Sequence, residues 1–106
     1  MDWIILVVAG LFEIVWAISL KYSENFSRPL PTVIALAGMV ISVVLLALAL
    51  RTLPVGTAYA VWTGIGAVGT AVVGMLVLGE PAETLRLICI GLIIAGVIGL
   101  RLVSGH

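Results

Sequence analysis

Residues 3–20 read WIILVVAGLFEIVWAISL, an apolar run long enough to decide the fold class. An α-helix needs about 20 predominantly apolar residues to cross the roughly 30 Å hydrocarbon layer of a membrane. Of the 106 residues, 63% are hydrophobic and 9% are charged, whereas a soluble domain carries about 25% charged residues. The sequence therefore predicts an integral membrane protein.

Further apolar runs follow the first, and segments that contain polar residues or proline separate them. The predicted helices span about residues 3–20, 32–50, 55–78 and 85–103. The strands of a transmembrane barrel would instead alternate between apolar and polar residues over segments of about ten residues, a pattern that this sequence lacks. We predict an all-α protein with four transmembrane helices in a single transmembrane domain, residues 1–106.

The rest of the sequence excludes several function classes. It contains no GxxxxGK[ST] or HExxH motif, its formal net charge is zero, and its one histidine is His106. It therefore predicts no enzyme, no metal site, no cofactor and no nucleic-acid partner. Any transport would have to draw on an ion gradient rather than on ATP. The single cysteine, Cys89, lies among aliphatic residues and is expected to face lipid or to pack.

Glu13 lies near the middle of the first predicted helix, among apolar neighbours. A carboxylate at this depth is costly, and such residues usually face a bundle interior or an aqueous cavity. No basic residue lies deep within the predicted helices to neutralise it. We therefore expect Glu13 to bind an external cation, with protons as the competitor. The alternative is a permanently protonated Glu13 that makes one interhelical hydrogen bond.

Aromatic residues share helix faces with this carboxyl group or with one another. Gly10 and Trp16 lie three positions before and after Glu13, and Tyr59 and Trp62 are three positions apart on the third predicted helix. Aromatic rings beside a carboxylate suit a cation, and hydroxyl and indole groups can orient the acid. Plain packing is the alternative interpretation of the three aromatic residues.

Ser42 is the only polar side chain inside the second predicted helix. We expect it to hydrogen-bond the Glu13 carboxylate, and the alternative is a bond to a carbonyl of its own helix. Glycines recur in the third predicted helix and would let neighbouring helices approach or let this helix bend. They are Gly64, Gly66, Gly69 and Gly74.

Small residues recur every fourth position in the last predicted helix, at Gly91, Ala95 and Gly99. Such a small-xxx-small face is typical of close contact between membrane helices. It predicts a dimer contact, with an ordinary contact inside the chain as the alternative.

Size and charge also favour a dimer. Four helices enclose too little interior for a solvated site, whereas larger transporters pair two inverted repeats around a midplane site. One predicted side of the membrane carries Arg51 and Arg101, and the other carries Lys21, Arg28 and Arg86. This balance gives no clear orientation by the positive-inside rule. It favours insertion in both orientations and an antiparallel, dual-topology homodimer with two facing carboxyl groups. A weak bias with one fixed orientation is the alternative.

The segment AYAVWTGIG, residues 58–66, together with Glu13 and Lys21, resembles the small multidrug resistance family over the whole chain. Trp16-Ala17 followed by LKYS, residues 20–23, is similar to the guanidinium exporter branch of that family. Polyaromatic drug exporters of the family usually carry glycine at the position of Trp16.

This resemblance implies a homodimer in the bacterial inner membrane that exchanges guanidinium for protons. Glu13 would bind substrate and protons, and Gly10 would leave room for the surrounding network. The residues that would hold the carboxylate are Trp16, Ser42, Tyr59 and Trp62. Guanidinium itself is planar and permanently charged, and its paired N–H donors match a carboxylate.

Two alternative functions remain. A broader exporter of quaternary ammonium and other hydrophobic cations would admit an alkyl tail through a portal between helices, beside Met39 and Val43. A non-transporting membrane subunit would only support assembly with a partner.

Overall fold

The computed structural model describes residues 2–104, in which the regular secondary structure is entirely α-helical. The helices are α1 (Asp2–Tyr22), α2 (Pro29–Ala49), α3 (Val55–Val77) and α4 (Thr84–Ser104). Each of these four helices is long and apolar enough to cross a membrane. The predicted all-α membrane fold with four spans is confirmed.

Helix α2 begins at Pro29, three residues before the predicted start at Thr32. Prolines are tolerated in the first helical turn, because the N–H groups there have no acceptor inside the helix. Arg28 precedes the helix in an extended conformation, as a residue before proline prefers, and its carbonyl accepts a 2.7 Å hydrogen bond from the Thr32 hydroxyl. Both prolines therefore lie in the first turn of α2, and the helix does not begin after them.

The turn between α1 and α2 contains consecutive residues in the left-handed region. Glu24, Asn25 and Phe26 have φ angles of 48°, 61° and 67°. The buried Ser23 stabilises the turn, because its hydroxyl donates to the Leu20 carbonyl at 2.7 Å and accepts from the Phe26 N–H at 3.3 Å. This compact turn makes α1 and α2 antiparallel neighbours.

The helices do not surround a common axis. Helix α1 packs against both α2 and α3, whereas the backbone of α4 comes close only to that of α3 among the described helices. The molecule measures 43 × 34 × 17 Å, and a helix with its side chains is about 10–12 Å wide. The chain is therefore a flat layer with little interior. Most of the surface of α4 is exposed rather than buried in that interior.

The buried apolar core lies towards one end of this layer, where α1 and α3 begin and α2 ends. It comprises Leu6, Leu46, Ala49, Leu53, Ala58 and Val61. At the same end, the Arg101 guanidinium lies 4.8 Å from the ring centroid of Trp3, which links the last turn of α4 to the first turn of α1. These contacts hold α1 against α3 and so position the site described next.

Candidate functional site

A groove of about 570 Å³ opens beside α1 and α3, and Glu13 lines it. Trp16 also lines the groove from α1, and Thr63, Gly66 and Thr70 line it from α3. The carboxyl group predicted to be functional is therefore next to an open cavity and not sealed in the apolar core.

The Glu13 carboxyl group lies directly against the backbone of α3 at Gly66. A Cβ atom placed on Gly66 would overlap Oε1 of Glu13 and would lie 2.5 Å from its Cδ. Only glycine leaves this space, because any side chain here would push the carboxyl group away. The position of Glu13 in the groove thus depends on the absence of a side chain on the neighbouring helix.

Two other glycines of α3 also admit side chains from neighbouring helices. A Cβ on Gly69 would lie 2.6 Å from Cγ1 of Ile14, and one on Gly64 would lie 2.6 Å from Cγ2 of Val97. Such close approach is the usual role of small residues in membrane helices. These glycines were expected to let neighbouring helices approach or to let their own helix bend, and the structure shows the close approach.

Gly10 has a different neighbour from the one expected. A Cβ on Gly10 would lie 2.6 Å from Cγ2 of Ile65, so the space at this glycine is filled by an aliphatic side chain of α3. In this arrangement Gly10 lets α1 and α3 approach and does not itself line the groove.

Ser42 is fully buried and joins α1 to α3. Its hydroxyl donates to the Ala9 carbonyl at 2.6 Å and accepts from the Trp62 indole N–H at 2.8 Å. The expected bond to the Glu13 carboxylate is not among the bonds of the described residues, and Ser42 does not bond to its own helix either. In an α-helix the Ala9 carbonyl is also the acceptor for the Glu13 N–H. This hydrogen-bonded chain therefore ends at the backbone that carries Glu13.

The remaining predicted aromatic residues are divided between the groove and the outside. The Trp16 indole N–H is buried and has no acceptor in the described part of the chain. The Tyr59 side chain is exposed, with its ring 5.5 Å from that of Trp62 at a 56° tilt. The structure thus brings Trp16 and Glu13 into one groove, whereas Ser42, Trp62 and the exposed Tyr59 do not line it.

The groove is also lined by side chains that no sequence pattern indicated. Thr63 and Thr70 flank Gly66 on the same face of α3, at spacings of three and four residues. This spacing was visible in the sequence, but threonine is common enough in membrane helices to give no signal alone. By contrast, Met39 and Val43, beside which a portal was expected, do not line the groove.

Charged residues lie at one end of the groove. Arg86 donates to Glu80 at 2.8 Å across the turn between α3 and α4, and Lys21 lines the same end from α1. The Glu80 carboxyl group lies against Gly74, where a Cβ would be 2.8 Å from its Cδ. This ion pair depends on how the turn folds, so no spacing within one helix could reveal it.

The small residues of α4 have open space around them. A Cβ on Gly91 or Gly99 would meet no atom within 4 Å, and Ala95 is exposed. Helix α4 instead contacts α3 where Val97 enters the space at Gly64. Within the described residues, the small-residue face is therefore not used for packing inside the chain, and Cys89 on the same helix is exposed as well.

The fold and the groove define a small multi-pass membrane protein that presents a carboxyl group to a cavity between its helices. The family described as Small Multidrug Resistance protein matches residues 1–93. The chain therefore belongs to the small multidrug resistance family, as its resemblance indicated. It is a multi-pass inner-membrane transporter and not an enzyme.

Full-length relatives agree with this assignment. The chain is 61% identical over 106 residues to the guanidinium exporter of Salmonella typhimurium strain LT2, with 100% of both chains covered. It is 62% identical over 104 residues to the guanidinium exporter of Yersinia pseudotuberculosis serotype I, covering 98% of this chain and 100% of the relative. With the guanidinium exporter of Citrobacter freundii it shares 60% identity over 102 residues, which are 96% of this chain and 97% of the relative.

Proposed function

We propose that this protein exports guanidinium across the bacterial inner membrane in exchange for protons, with both ligands competing for Glu13. The observation that carries the proposal is the Glu13 carboxyl group, which lies against Gly66 in an open groove between membrane helices. The names of the full-length relatives support guanidinium as the exported cation.

The chemistry of the groove suits this cation. A carboxylate accepts two parallel N–H bonds from a guanidinium group, which gives both charge neutralisation and orientation. Guanidinium has no acceptor atoms, so the unpaired Trp16 N–H cannot bind it and would instead donate to the Glu13 carboxylate. The Trp16 ring also lines the groove and offers a surface for a flat cation.

Exchange follows from occupancy of the same carboxyl group. A protonated Glu13 has lost the charge that attracts the cation, and a cation-bound Glu13 has no free charge for a proton. Export of one ligand is then coupled to import of the other, provided that the empty carboxylate does not cross between the two sides of the membrane.

The proposal also includes an antiparallel homodimer. A layer 17 Å thick cannot enclose a site on its own, and the open glycines of α4 offer a surface for close contact with a second copy. The near balance of basic residues on the two sides favours insertion in both orientations. Two Glu13 carboxyl groups would then face one shared cavity, as in transporters built from inverted repeats.

The exchange is tested with the full-length protein in proteoliposomes. We expect a pH gradient to drive guanidinium uptake, and we expect Glu13→Gln to abolish it, since an amide neither attracts the cation strongly nor carries the proton. Glu24→Gln, in the exposed turn after α1, is the matched control and should transport normally.

Retained exchange in Glu13→Gln would remove Glu13 from the mechanism. No guanidinium transport at any pH gradient would overturn the substrate assignment, and a preference for tetraphenylphosphonium would favour the broader exporter. Cysteine labelling at a terminus from each side of the membrane tests the orientation, and labelling from one side only would refute dual insertion.

A further inference from the structure

The threonines that flank Gly66 do not make the hydrogen bond to their own helix that a helical threonine can make. A helical threonine hydroxyl commonly donates to a carbonyl three or four residues earlier, and Thr32 does so to the Arg28 carbonyl at 2.7 Å. The hydroxyl groups of Thr63 and Thr70 make no hydrogen bond within the described residues. Both therefore retain their full capacity to bond to something in the groove.

Their position relates them directly to the carboxyl group. The Glu13 carboxyl group lies against Gly66, with Thr63 three residues before that glycine and Thr70 four residues after it. Residues at these spacings are neighbours on one helix face. A small cation bound to Glu13 would thus have one threonine within a helical turn on either side, and both threonines line the same groove.

The substrate chemistry explains what these hydroxyl groups would do. Guanidinium carries N–H donors on every edge, and a carboxylate occupies only one edge. In a membrane site the remaining donors must find acceptors, because a buried donor without a partner is costly. A hydroxyl group supplies acceptor lone pairs, and the Trp16 indole N–H supplies none.

We infer that Thr63 and Thr70 determine substrate specificity by accepting hydrogen bonds from the guanidinium N–H groups that Glu13 leaves unpaired. The inference rests on the proposed function. It also predicts selection against quaternary ammonium cations, which carry no N–H group and would leave the two hydroxyl groups unpaired.

The test measures guanidinium binding to the full-length protein by tryptophan fluorescence, with guanidinium chloride as the ligand. Replacing both threonines by valine (Thr63→Val with Thr70→Val) keeps their shape and removes the hydroxyl groups. We expect this variant to bind guanidinium about tenfold more weakly than wild type. The double serine variant keeps the hydroxyl groups and should recover most of that loss. Thr57→Val, on α3 outside the groove, is the control and should bind within about twofold of wild type.

A second readout separates specificity from general damage. We expect the double valine variant to lose its preference for guanidinium over tetraethylammonium. Only guanidinium has N–H groups that bond to the removed hydroxyl groups, so only its affinity falls. Wild-type affinity in the double valine variant, or equal losses in the valine and serine variants, would overturn this inference and leave the proposed function intact. Failure of the wild-type protein to bind guanidinium would overturn the proposed function, and this inference with it.

Discussion

The carboxyl group of Glu13 lies against the backbone of α3 at Gly66, in the space that a side chain at position 66 would occupy. This contact fixes how deep the carboxyl group sits in the groove and which part of α3 it meets. The glycine is therefore part of the site, although it has no group that binds a ligand.

Gly66→Ala is expected to displace the carboxyl group and to weaken guanidinium binding at least tenfold, because the new Cβ would overlap Oε1. Binding titrations of the purified protein check this result. Gly56→Ala is the matched control on the same helix, since a Cβ there meets no atom within 4 Å. Equal affinity in the two variants would show that the Glu13 carboxyl group does not depend on the space at Gly66.

Ser42→Ala is expected to destabilise the protein by about 1–3 kcal/mol, because it leaves the Trp62 N–H without its acceptor and the Ala9 carbonyl without one donor. Thermal unfolding in detergent measures the change. Ser27→Ala, in an exposed turn, is the control and should cost less. If the two serine variants unfold at the same temperature, the hydrogen-bonded chain contributes nothing to stability.

Guanidinium affinity is expected to fall as the pH is lowered, because protons then occupy more of the Glu13 carboxyl groups. Competition for one group predicts that the apparent Kd rises by at most about tenfold per pH unit in the acidic range and becomes constant at high pH. Binding titrations across pH provide the measurement. An apparent Kd that does not change with pH would exclude direct competition.

Gly91→Leu and Gly99→Leu are expected to reduce dimer formation while leaving the chain folded, since neither new side chain meets an atom of its own chain at Cβ. Crosslinking in lipid bilayers measures the dimer fraction, and helical content by circular dichroism checks the fold. Gly56→Leu, at another glycine with open space, is the control. An unchanged dimer in both α4 variants would place the dimer contact elsewhere.

The sequence was sufficient for the helices, because crossing a membrane requires apolar length, which is a local property. The start of α2 was placed too late, since the prolines at 29 and 31 resembled breakers but lie in a first turn, where they are accommodated. The proximity of Trp16 to the Glu13 groove also followed from spacing on one helix.

The spacing of residues along the sequence could not predict how the helices lie relative to one another. The bond from Ser42 to the Ala9 carbonyl depends on the relative depth and rotation of α1 and α2, which no pattern within one helix encodes. In the same way, the importance of Thr63 and Thr70 becomes visible only when the carboxyl group is known to lie at Gly66 between them.

The hydrogen-bonded chain from Trp62 through Ser42 to Ala9 makes one part of the molecule stiffer than the rest. It ties α3, α2 and α1 to one another, whereas α4 packs closely only against α3 and contacts α1 through Arg101 and Trp3 at its last turn. We therefore expect the first three helices to move as one stiff body and α4 to tilt against it along a single edge, where Val97 enters the space at Gly64. In a dimer that forms through α4, the first three helices would tilt about this edge. The tilt would open the groove that contains Glu13 first to one side of the membrane and then to the other.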